Sequence, residues 1–100
     1  MIRTVFTTAS VMLVLALPAM AQEKEAECRK QGQIATNIMS ERKSGTSSGA
    51  AEKRVIRMLP DDAKNYEAAI PALVEWIYGL PEEQMTPEVS NALYQVCLSQ

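Results

Sequence analysis

Two cysteines, Cys28 and Cys97, lie near the start and near the end of the segment that follows an apolar N-terminal run. A domain of about 80 residues buries only about 60% of the surface that its unfolded chain exposes, so its core is marginally stable. Closing a loop of about 70 residues would stabilise the folded state by roughly 4 kcal/mol. We therefore expect a structural disulfide within the chain. A redox pair, which usually has CxxC spacing, and intermolecular bridges are the alternatives.

Residues 1–21 have the pattern of a cleavable secretory signal peptide. Arg3 supplies a positive charge, Val5 to Leu17 is mostly apolar, and Ala19-Met20-Ala21 fits the small-x-small cleavage rule. The uninterrupted apolar run from Val11 to Ala21 is about half of the ~20 residues that a spanning helix needs. We predict cleavage after Ala21, no stable membrane insertion after cleavage, and a periplasmic or secreted protein in which disulfides can form.

Residues 22–100 are expected to form a single all-α domain, a small bundle of about four helices closed by the disulfide. Strong helix formers from Glu23 to Lys43 predict helix one. The SGTSSG sequence at 44–49 predicts a flexible connection, and apolar periodicity from Ala50 to Leu59 predicts helix two. The expected inward face of helix two consists of Ala51, Val55, Met58 and Leu59.

Two further helices follow Pro60. Asp61 or Asp62 is expected to cap helix three, which should end at Gly79 and should be kinked or divided by Pro71. Thr86-Pro87-Glu88 predicts the start of helix four, with threonine as N-cap and proline in the first helical position. The expected inward face of helix four consists of Val89, Leu93, Val96 and Cys97. Helices one and four would then each contribute one cysteine to the bridge.

Charge is distributed unevenly along the chain. Residues 22–57 contain eight basic and five acidic side chains, whereas residues 58–100 contain one basic and seven acidic ones. The cluster around helix two consists of Arg42, Lys43, Lys53, Arg54 and Arg57. This cluster could bind an acidic partner or an anionic surface, but we favour a solvated face that pairs with acids such as Glu75, Glu82 or Glu83. We expect no nucleic-acid binding, because the net charge is −2 and no aromatic residue lies among these bases.

The composition argues against catalysis. The chain has no histidine, which excludes Ser-His-Asp and Cys-His arrangements and the usual zinc sites, and both cysteines are assigned to the bridge. The adjacent acids Asp61-Asp62 and Glu82-Glu83 are typical of helix caps and solubilising charge. No phosphate loop, EF-hand or haem motif is present. We therefore predict a protein that is not an enzyme and that has no catalytic residues, cofactor or metal site.

The segment IPALVEWIYGLP, residues 70–81, is apolar except for Glu75 and contains the only tryptophan. A helix that is apolar around most of its circumference is normally surrounded by other elements, so helix three could be the central element of the bundle. Alternatively, part of its aromatic side remains exposed as an interface for another exported protein or for a homodimer. The candidate residues of this interaction face are Trp76, Tyr78, Leu80 and Tyr94.

The order of several short motifs resembles that of small exported helical proteins of bacteria, which generally lack an assigned activity. The residues that carry this resemblance are Cys28, Ile34-Ala35, Arg42, Tyr66, Trp76-Ile77-Tyr78-Gly79-Leu80-Pro81, Thr86-Pro87-Glu88 and Cys97-Leu98. The architecture is also similar to that of periplasmic acid-stress chaperones, which are small, all-helical and joined by one disulfide. That similarity implies an alternative function, in which protonation of carboxylates exposes apolar surface to client proteins.

Overall fold

The computed structural model of this protein describes residues 16–100, which contain four α-helices and no strand. The α-helices are α1 (Ala16–Lys43), α2 (Ser48–Met58), α3 (Ile70–Tyr78) and α4 (Pro87–Leu98), and two 3-10 segments span Asp61–Ala69 and Glu82–Gln84. The all-α prediction is confirmed. Helix α1 begins before the predicted Glu23, and most of the predicted signal peptide, residues 1–15, lies outside the described residues. Between residues 16 and 100, no helix has both the length and the apolar character needed to cross a membrane.

The connection between α1 and α2 is shorter than predicted. Gly45 has a φ of +82°, a left-handed conformation that favours glycine, and its N–H donates to the Arg42 carbonyl at 3.0 Å. Ser47 is the N-cap of α2, and its hydroxyl accepts a hydrogen bond from the N–H of Ala50. Ser48 and Gly49, which were assigned to the flexible connection, therefore belong to the first turn of α2.

The predicted helix three is divided in two, as Pro71 suggested. The residues before the division form the 3-10 segment Asp61–Ala69, and α3 starts at Ile70 with Pro71 in its first turn, where a missing N–H costs little. The capping prediction for Asp61 and Asp62 is wrong, because Pro60 occupies the N-cap position and no side chain makes a capping hydrogen bond.

Helix α1 is the central element of the described bundle, since it packs against α2, α3 and α4. Helix three is therefore not central, because its α-helical part has only nine residues and cannot reach all of its neighbours as the 28-residue α1 does. The buried core comprises Ile34, Ala35, Ile38 and Met39 of α1, Val55 and Leu59, Ala63 of the first 3-10 segment, Ile70, Val74 and Ile77 of α3, and Met85 and Val89.

Two apolar side chains that were predicted to face inward are exposed. Met58, the last residue of α2, exposes 51% of its surface even though it follows the buried Ala51 by two turns on the same side of the helix. Val96, in the last turn of α4, exposes 53% even though it follows the buried Val89 by two turns on the same side of the helix. Both side chains therefore contribute to the outer surface.

The predicted disulfide is confirmed. Cys28 of α1 and Cys97 of α4 have their Cα atoms 5.5 Å apart, and the two helices run antiparallel. The hydroxyls of Thr36 and Ser90 are 2.7 Å apart on the same helix pair. Between these two contacts, Gly32 permits a close approach, because a Cβ atom there would lie only 3.4 Å from the Ser90 carbonyl oxygen.

Candidate functional site

Trp76 lies on the outer side of α3, where 45% of its surface is exposed. The opposite side of the helix packs into the core through Ile70, Val74 and Ile77. A groove of about 390 Å³ runs from Trp76 to the first turns of α4. The residues that line this Trp76 groove are Trp76, Leu80, Glu83, Gln84, Thr86, Glu88, Val89 and Ala92.

The Trp76 groove combines an apolar floor with negative charge. Leu80, Val89 and Ala92 accompany the indole, and the only charged side chains of the lining are the carboxylates of Glu83 and Glu88. Along α4, the exposed Val96 follows Val89 by seven residues, or two turns, so it extends the same apolar face beyond the groove. An apolar surface with a charged border has the composition of a protein interface.

Arg42 fixes the end of α3 that carries this groove. Its Nη1 atom donates to the carbonyl oxygens of Ile77 and Leu80, at 2.7 Å each. Ile77 lies in the last turn of α3 and Leu80 lies just beyond the end of that helix, where a cation is favourable. One member of the predicted basic cluster is thus used inside the fold, and it holds the backbone on which Trp76 and Leu80 are placed.

Tyr78 faces away from the Trp76 groove. Its hydroxyl donates to the carbonyl of Thr46 at 2.7 Å, and its ring lines a separate depression with Glu52 of α2 and Pro71. Burial raises the pKa of the Tyr78 phenol, and the nearby Glu41 carboxylate raises it further. The phenol therefore stays protonated, and its hydroxyl serves as a hydrogen-bond donor that joins α3 to the turn before α2.

Tyr94 lies in a third depression, between α1 and α4. Its neighbours there are Arg29, Gln33 and Asn91, so the surroundings are polar. The four residues predicted as one interaction face are thus distributed over three depressions, and only Trp76 and Leu80 share one. Val89 and Ala92 were not predicted as part of the site, because only the folded arrangement of α3 and α4 brings them beside Trp76.

The outer side of α2 forms a basic face, which we define as Lys53, Arg54, Arg57 and the exposed Met58. Arg54 pairs with Glu41 at 3.5 Å, which is a different acid from those expected. Within residues 16–100, neither Lys53 nor Arg57 belongs to an ion pair. The prediction that internal acids pair with this face therefore holds for Arg54 alone, and its acid is Glu41.

Comparison with protein-family models, curated proteins and solved structures found no match to this chain. Between residues 16 and 100, no group of three or more histidine, cysteine or acidic side chains is arranged to hold a metal ion. The properties that distinguish the Trp76 groove are its exposed indole, its apolar floor and its carboxylates.

Proposed function

We propose that this chain is a small exported, non-enzymatic protein-binding module that uses the Trp76 groove as its contact surface. The observation that carries the proposal is the 45% exposure of Trp76 in a concave, carboxylate-bordered site beside Leu80. Tryptophan is enriched among the residues that contribute most to protein binding, particularly where neighbouring contacts exclude water. The partner is another exported protein or a second copy of this chain.

The neighbours of Trp76 support a binding surface that is formed before the partner arrives. Ile77, the next residue, is fully buried, and the hydrogen bonds from Arg42 hold the backbone at both Ile77 and Leu80. A rigid support reduces the conformational entropy that is lost on binding. The exposed indole can therefore contribute to affinity without a prior rearrangement of α3.

Site-specific photo-crosslinking tests this proposal. A photoreactive amino acid at Glu83, on the border of the groove, should capture a protein from the exported fraction, whereas the same group at the exposed Lys64 should not. Trp76→Ala should abolish the crosslink while the circular dichroism of the domain is unchanged. Equal capture with and without the indole, in folded protein, would show that the groove is not the contact surface.

Export is tested by the mass of the protein recovered from the cell. We expect the mature chain to begin at Gln22 and to be found in the periplasm or the medium. A full-length chain retained in the cytoplasm would contradict this part of the proposal.

A second candidate function, that of an acid-stress chaperone, is favoured by the two carboxylates beside the apolar floor. Carboxyl groups lose their charge in acid, and without its two negative charges the groove would be more apolar. Binding of an apolar dye and suppression of client aggregation should then rise between pH 7 and pH 4, and the Glu83→Gln/Glu88→Gln variant should bind more dye at pH 7. Absence of both activities at pH 4 would remove this candidate.

A further inference from the structure

The large apolar side chains that stay exposed are divided between surfaces of opposite charge. Beyond the predicted cleavage site, those in the described part of the chain are Met58, Trp76 and Val96. Trp76 lies beside Glu83 and Glu88, and Val96 lies further along α4, whereas Met58 belongs to the basic face of α2. The groove thus has an apolar floor bordered by carboxylates, whereas the basic face has one apolar side chain, Met58, at the C-terminal end of α2. The charges of the two surfaces are complementary.

The basic face is a continuous part of the α2 surface. Lys53 and Arg57 are one turn apart, as are Arg54 and Met58, and all four side chains are exposed. The buried side of α2, through Ala51 and Val55, is directed toward the core instead. The basic face can therefore approach another molecule without any change in the packing of α2.

We propose that the occupant of the Trp76 groove is the basic face of a second copy of this chain. This inference rests on the proposed function of the groove and names its partner. Met58 enters the groove against the indole, a thioether–aromatic contact that is favourable in proteins. Lys53 and Arg57 of the same copy then lie opposite Glu83 and Glu88 of the other, an arrangement that favours encounter and sets the orientation.

This contact joins two different surfaces, so it is heterologous. The basic face lies on α2 and the groove lies between α3 and α4, and a molecule that uses one of them still has the other free. Such contacts extend to chains or close to rings, unlike the single self-complementary patch of a two-fold dimer. Because the ion pairs are on the surface, salt should weaken the assembly.

Light scattering after size-exclusion chromatography of the oxidised mature protein tests the proposal. The mass should rise with protein concentration at low salt and fall toward that of a monomer at high salt.

Two variants test the two surfaces separately. Trp76→Ala removes the centre of the groove, and Met58→Glu/Arg57→Glu adds negative charge to the basic face. Each should weaken self-association by about thirtyfold, the effect of losing one strongly contributing contact. Lys64→Glu, which adds negative charge outside both surfaces, is the control and should associate normally.

Mixing the two deficient variants distinguishes a heterologous contact from other assemblies. Trp76→Ala retains an intact basic face, and Met58→Glu/Arg57→Glu retains an intact groove, so the mixture should form a 1:1 dimer that grows no further. A mixture that stays monomeric, or a wild-type protein that is monomeric at every concentration, would overturn the inference. If the monomer still crosslinks another exported protein through Glu83 in a Trp76-dependent manner, the proposed function stands and only this inference fails.

Discussion

The phenol of Tyr66 donates a 2.6 Å hydrogen bond to the carboxylate of Glu27 and so joins the first 3-10 segment to α1. Lys30 donates to the same carboxylate at 2.7 Å, and its Nζ atom also donates to the backbone carbonyl of Asp62 at 3.1 Å. The hydrogen bond from Lys30 lowers the pKa of Glu27 below its ordinary value of 4.5, and the bond from Tyr66 lowers it further. This small network ties the segment before α3 to the central helix.

Tyr66→Phe should destabilise the protein at neutral pH and have no such effect in strong acid. The pKa of Glu27 is lower in the folded than in the unfolded state, so its contribution to stability is present above pH 4.5 and is lost as the pH falls through the lower, folded-state pKa. Urea unfolding followed by circular dichroism at a series of pH values measures this difference. If Tyr66→Phe lowers the free energy of unfolding by the same amount at pH 7 and at pH 2, the carboxylate does not have the assigned role. In a Glu27→Gln background, Tyr66→Phe should lower the free energy of unfolding by less at pH 7.

Arg42→Ala should cost about 2 kcal/mol of the free energy of unfolding, because a charged donor that serves two backbone carbonyls is lost. Arg42→Lys should recover only part of this loss, since the lysine side chain is one bond shorter than that of arginine and its nitrogen does not reach the position of Nη1. The neighbouring Lys43 is exposed and is the matched control, with Lys43→Ala expected to change stability by less than about 0.5 kcal/mol. Equal effects at positions 42 and 43 would show that the carbonyl contacts do not stabilise the end of α3.

Removal of the disulfide in Cys28→Ala/Cys97→Ala should lower the free energy of unfolding by about 4 kcal/mol, because the two cysteines are 69 residues apart and the bridge restricts the unfolded chain. Reduction of the wild-type protein should produce a similar loss in urea unfolding experiments. A loss below about 1 kcal/mol in both experiments would mean that the packing of α1 on α4 is sufficient without the bridge.

Truncation of the neighbours Trp76 and Ile77 should affect different properties, binding for Trp76 and stability for Ile77. Ile77→Ala creates a cavity at a fully buried position and should cost about 3 kcal/mol of stability. Trp76→Ala removes a larger side chain that is 45% exposed, and it should cost less than Ile77→Ala while weakening binding at the groove. Thermal unfolding of the two variants compares these costs directly. A larger loss for Trp76→Ala would indicate that the indole serves the core.

The break between the two parts of helix three and the location of the bridge were both predictable from local or covalent properties. Pro71 lacks an N–H and restricts its own backbone wherever the chain is placed, so a division near it follows from the residue itself. Cys28 and Cys97 were the only pair available for a bridge within the chain. The interaction face was less predictable. Tyr78 is only two residues from Trp76 along the chain, yet it lies in a different depression.

Local and covalent properties are sufficient for the helical class, the approximate helices and the pairing of the cysteines, because periodicity, proline and thiol chemistry act through the local chain or through a covalent bond. The exposure of apolar side chains depends instead on the tertiary packing. Met58 and Val96 have the composition of core residues and follow the buried Ala51 and Val89 by two turns, yet both are exposed in the last turns of α2 and α4. The turns that are covered are set by the packing of several helices at once, and the same packing brings Trp76 beside Val89, 13 residues further along the chain.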